Sequence, residues 1–200
     1  MDVITNIKVL TPNRKKVRPG DIFVLQIRND EYIFGRVVRT DGTVGGGWNQ
    51  AILIYIYNAI ADDKNNIPDL DKSNLLVPPI LTNKVPWLRG YFETVAHRPL
   101  VDEEVFHPHC FYSYSSCRYF DEYGQELPYR VEPCGERGLH SFRTIDDAVS
   151  KALGIAPAPD QQVSVCLLRS VFSVASDRMA TLSIPIAGKR KRNQFETRKP

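Results

Sequence analysis

The chain has 200 residues, a formal net charge of +3 and 42% hydrophobic residues, an ordinary composition for a protein that buries a core. Its longest apolar run, Ala51 to Tyr57, is far short of the ~20 residues that a membrane helix needs. The charge is unevenly placed: residues 189–200 hold six bases and one acid, or +5, so the remainder carries −2.

Met1 to Lys8 contains no basic segment leading into an apolar run, so no signal peptide is expected and a cytoplasmic location follows. Residues 4–10 can form a strand. The turn-rich, basic stretch from Thr11 to Gly20 leads into the dominant feature of the chain. Residues 21–27 and 32–38 are rich in β-branched and aromatic residues and flank the polar segment Arg28–Glu31, which predicts a β-hairpin. Phe23, Leu25 and Ile27 share one face of its first strand, Ile22 and Val24 the other. A strand apolar on both faces belongs in a closed or covered sheet. Gly35 marks a bulge or bend in the second strand.

The Gly-rich loop at 41–47 lacks the Lys-Ser or Lys-Thr of a phosphate loop. Residues 52–57 form the next strand, and 61–74 a polar, acidic loop. Two prolines suit Leu75–Leu81 to an edge strand or an extended segment. Residues 82–87 read as a turn and 87–95 as a strand kinked at Gly90. Trp87, Tyr91 and Phe92 are candidates for core or interface, with alternation placing Tyr91 and Phe92 on opposite sides. A further hairpin turns at Asp121–Gly124. Residues 144–153 form the clear helix, with Thr144 as cap, Asp146 and Asp147 in its first turn, and Ile145, Ala148, Val149, Ala152 and Leu153 as its apolar stripe. Gly154 ends it. Ala156 to Asp160 is a linker, and the apolar stretch Val163–Val174 fits either strand or helix. The expected architecture is α+β: a bent, mostly antiparallel, small barrel-like sheet with one helix packed on it. Residues 1–155 form the domain, 156–188 an appended segment, and 189–200 a disordered basic tail.

Several of these segments resemble a known family. Pro19-Gly20-Asp21-Ile22-Phe23, Tyr32 to Val37, Pro79-Ile80, Pro86-Trp87, Gly90 to Thr94, Tyr119 to Gly124 and Gly138 to Asp147 look like the immunity protein 26 family. The resemblance spans roughly residues 14–155. It implies the antidote of a bacterial polymorphic-toxin system, whose partner is a cognate protein toxin. The residues themselves carry no membrane span and no nucleic-acid recognition pattern, and no cofactor is expected.

Two constellations carry chemistry. Residues 93–127 hold seven acids against Arg98 and Arg118, or −5. A pair of acids could act as general acid and base. A solvated face is the more ordinary outcome. An immunity role adds a third: Glu93, Asp102, Glu103, Glu104, Asp121 and Glu122 as a surface for a basic toxin. His107-Pro108-His109-Cys110 could present two imidazoles on one side of a strand as metal ligands, completed by Cys117, Cys134 or His140. That would suit a metal-dependent phosphoester hydrolase, the alternative function. The preferred interpretation is a turn with hydrogen-bonded imidazoles and a core thiol, with no metal. A (β/α)₈ phosphotriesterase barrel takes about 250 residues and eight strand–helix units, and only one helix is evident here. The cysteines, 110, 117, 134 and 166, form no CxxC pair and are expected to be reduced.

Overall fold

The structure is a computed structural model that describes residues 4–29, 31–45 and 50–159. The expectations for Val163–Val174, for most of 156–188 and for the 189–200 tail fall outside those residues. Two sheets form the described chain. The larger has the order β4-β3-β2-β1-β5, with β1 Asp21–Gln26, β2 Tyr32–Gly42, β3 Ala51–Ala61, β4 Leu75–Thr82 and β5 Glu93–His97, all antiparallel. The smaller has the order β8-β7-β6-β9, with β6 Cys110–Ser113, β7 Arg118–Phe120, β8 Glu126–Leu127 and β9 Cys134–Glu136; β9 runs parallel to β6. Helix α1 is Val85–Leu88 and helix α2 is Phe142–Ala152. The fold is α+β, with bent sheets that do not close into a barrel.

The β1–β2 hairpin is apolar on both sides because both sides are covered. Phe23, Leu25 and Ile27 join Trp87, Phe92, Ile145 and Val149 in the main core, under α2. Ile22, Val24 and Phe34 lie on the other face, against Ile67 and Leu70 of the β3–β4 loop. Gly35 has a steric reason: it pairs with Phe23, and a Cβ there would come within 2.3 Å of the Phe23 ring. β4 is an edge strand whose register with β3 shifts between Ile80 and Val77, so Pro78 and Pro79 stand at a bulge beside the free edge, where missing N–H groups are tolerated.

Three local expectations are corrected. Residues 4–10 form no strand; Asn6 and Ile7 instead donate their backbone N–H groups to the carboxylate of Asp146, at 3.0 and 2.7 Å. Trp87–Phe92 is not a strand either. Pro86 sits in the first turn of the short helix α1, where its missing N–H costs no helical bond, and Gly90 adopts φ +82 after it. With period-2 alternation gone, Trp87, Tyr91 and Phe92 are all buried. Finally, α2 starts earlier: Ser141 is the N-cap, and its hydroxyl accepts the Thr144 N–H. Asp146 therefore lies in the second turn, fully buried, rather than at the positive end of the helix dipole. Burial raises its pKa despite the two N–H donors. At the far end, Gly154 at φ +69 donates to the Lys151 carbonyl and Ile155 to that of Ser150, the paired bonds of a Schellman motif.

Candidate functional site

The six acids proposed as an interface divide by environment. Asp102 and Glu103 are exposed, on a 3₁₀ turn. Glu104, on the same turn, bonds at 2.7 Å to the guanidinium of Arg36, which is buried in β2. Arg36 holds the Glu104 carboxyl below the usual carboxylate range. Arg36 also donates to the carbonyls of Arg98 and Pro99, so Glu104 clamps a buried charge. Glu93 is ion-paired to Lys64 at 2.7 Å. Asp121 accepts the N–H groups of Tyr123 and Gln125 and shapes the β7–β8 turn. Glu122 is 3% exposed and belongs to the interior, which removes it from any interface.

Glu122 completes a buried chain of polar groups. The Tyr55 hydroxyl lies 2.6 Å from His109 Nε2 and accepts the Phe106 N–H at 3.0 Å. Having accepted that bond, the hydroxyl has its own proton to give to Nε2. His109 Nδ1 faces Glu122 Oε1 at 3.1 Å, within ion-pair reach but outside hydrogen-bond alignment. The His109 backbone N–H donates to the other carboxylate oxygen at 3.2 Å. Burial opposes ionisation of Glu122, but His109 and the backbone donors outweigh it and hold the carboxyl at about 2. Desolvation pushes the Tyr55 hydroxyl well above its ordinary value. Tyr55, His109 and Glu122 are all under 4% exposed, so the order Tyr–His–Glu pins the 106–109 segment and the β7–β8 turn onto β3.

This arrangement dismantles the candidate metal set. His107 points to solvent, both ring nitrogens of His109 face protein partners, and Cys110 Sγ is against Cys134. Among the described residues no three His, Cys, Asp or Glu side chains converge as a metal site. Cys117 is exposed, and His140 bridges to Thr82 of β4.

Two surfaces stand out. The first was legible only in part: Asp62, Asp63, Asp69 and Asp71 of the β3–β4 loop are exposed, as are Asp102 and Glu103 of the acidic turn. Lys72 joins the two segments by donating to the Val105 carbonyl at 2.9 Å. The second is a groove of about 520 Å³ between α2, the proline-bearing edge of β4 and the outer face of the small sheet. Alternation along β6 buries Phe111 and Ser113 and turns Tyr112 and Tyr114 outward. Tyr112 packs edge-on to Tyr114 at 5.0 Å and beside its cross-strand partner Tyr119 at 5.2 Å. Tyr114 is 71% exposed; Tyr129, next to the groove residue Arg130, is 68% exposed. Large amphipathic rings with a neighbouring arginine are the composition of protein-binding hot spots. Sequence reasoning missed this groove, although the run Phe111-Tyr-Ser-Tyr114 carried its alternation.

A family model described as Immunity protein 26 matches residues 18–119, just over half of the chain. The chain belongs to the immunity protein 26 family. The match covers the larger sheet, the acidic turn and the β6–β7 hairpin as far as Tyr119 of this family member. It stops before β9 and α2, which form the rest of the groove wall. No curated protein and no solved structure matches the chain significantly.

Proposed function

We propose that this immunity protein acts in the cytoplasm as the antidote of a polymorphic-toxin system, binding its cognate toxin and blocking it by contact, without chemistry of its own. Family membership is the observation that carries the proposal. The surface supports it: an exposed tyrosine cluster set in a groove offers anchoring area at low entropic cost. The acids Asp102 and Glu103, with those of the β3–β4 loop, supply long-range attraction to a basic partner. The basic segment 189–200 is proposed to be dispensable for neutralisation. The hydrolase alternative gains no support, since the imidazole that would head its metal site is engaged by Tyr55.

Co-expression tests the proposal. The toxin domain encoded beside this chain should arrest growth alone and fail to do so when the chain is present. Growth arrest that persists despite full-length antidote at equal level would overturn it.

A further inference from the structure

Cys110 and Cys134 are Cα partners in the parallel β6–β9 pair, although 24 residues separate them in sequence. Adjacent strands lie ~4.8 Å apart, inside the ~4.4–6.8 Å Cα range that a disulfide spans. The two sulfurs are in direct contact at 2.6 Å. β9 is held in this register from both sides: Gly135 packs its Cα against the Pro79 carbonyl, and Arg137 donates its N–H to Tyr112 at 2.8 Å. The sulfurs differ in access. Cys110 is fully buried, whereas Cys134 is partly exposed and lines the tyrosine groove.

We propose that Cys110 and Cys134 form a thiol–disulfide exchange site, which closes to an intramolecular disulfide on reaction with a low-molecular-weight disulfide of the glutathione type. Cys134, reachable from the groove, attacks first. Its deprotonated sulfur bonds to one sulfur of the small disulfide, the S–S bond breaks, and one small thiolate leaves and takes up a proton. The Cys110 sulfur, after losing its own proton, then attacks Sγ of Cys134 and expels the second small thiolate. Two protein thiols become one disulfide, and one small disulfide becomes two small thiols. Burial and the adjacent Cys110 thiol push the Cys134 thiol up to about 12, so the first step is slow at neutral pH and quickens with alkalinity. Cys117 differs: its sulfur lies 3.7 Å from the Tyr114 carbonyl, with no second cysteine beside it among the described residues, and it stops at a mixed disulfide. Closure would tie β9, a wall of the groove, covalently to β6. The chemistry is independent of whether the groove binds a toxin.

The test uses the full chain with Cys117→Ser and Cys166→Ser, incubated in oxidised glutathione, alkylated, and examined by intact mass and peptide mapping. The expected result is loss of two hydrogen masses and a linked peptide pair containing Cys110 and Cys134, formed about tenfold faster per pH unit between pH 7 and 9. Adding Cys110→Ser should leave a stable glutathione adduct on Cys134. Full alkylation of both cysteines after prolonged oxidation, or a persistent adduct on Cys134 with Cys110 still free, would overturn the proposal. Should the Cys110→Ser chain fail to fold, the peptide map with Cys110 and Cys134 intact decides alone.

Discussion

Glu122→Gln isolates the buried Tyr55–His109–Glu122 chain. The substitution keeps the shape and removes the charge that faces His109 Nδ1 and Arg39. The Glu122 carboxyl is held at about 2 against an ordinary 4.5. At ~1.4 kcal/mol per unit, that difference contributes about 3 kcal/mol of stability. The sign follows from a depressed folded-state value: the contribution is complete above the unfolded value near 4.5 and is lost as pH falls toward 2. Urea unfolding should therefore show the variant about 3 kcal/mol less stable at pH 7, with the gap shrinking to less than half at pH 3. A gap that stays the same at both pH values, or no gap at pH 7, would refute the claim that Glu122 is ionised in the folded interior.

Other perturbations test the packing and the surface. Val149 is fully buried against the sheet, so Val149→Asp should cost about 3 kcal/mol or more in chemical denaturation, because it inserts an unpaired charge. A Cβ at Gly135 would stand 2.3 Å from the Pro79 carbonyl oxygen, so Gly135→Ala should lower stability by about 2 kcal/mol and show as a drop in melting temperature. Reversing Asp102 and Glu103 to Lys should slow association with a basic toxin in stopped-flow measurements at low salt, and deleting 189–200 should not. Glu104 is left out of that pair because it clamps Arg36, and its reversal would report on folding.

The parts of the fold governed by near-neighbour patterns were legible. The doubly apolar β1, the edge position of a strand with two prolines, and the stripe Ile145–Val149 each follow from a repeat within a few residues. Trp87–Phe92 was not legible, because Pro86 and the positive φ of Gly90 override the alternation that its aromatics suggest. The acids show the limit most clearly. Glu103, Glu104 and Glu122 are alike in sequence, yet one faces solvent, one secures Arg36 from 68 residues away, and one is buried beside His109. Their roles are set by partners brought in by strand pairing. The same holds for the contact of Cys110 with Cys134 and for the groove, which draws on four separated segments.

The most direct test of the central claim is a calorimetric titration of the purified chain with a candidate cognate toxin domain, comparing the unaltered protein with a Tyr114→Ala, Tyr129→Ala double variant. Both rings are more than 60% exposed, so their truncation should leave the melting temperature unchanged. The account predicts a saturable complex for the unaltered protein and at least a tenfold weaker one for the variant, about 1.4 kcal/mol or more. No measurable binding by the unaltered protein, or equal affinity for both, would contradict it.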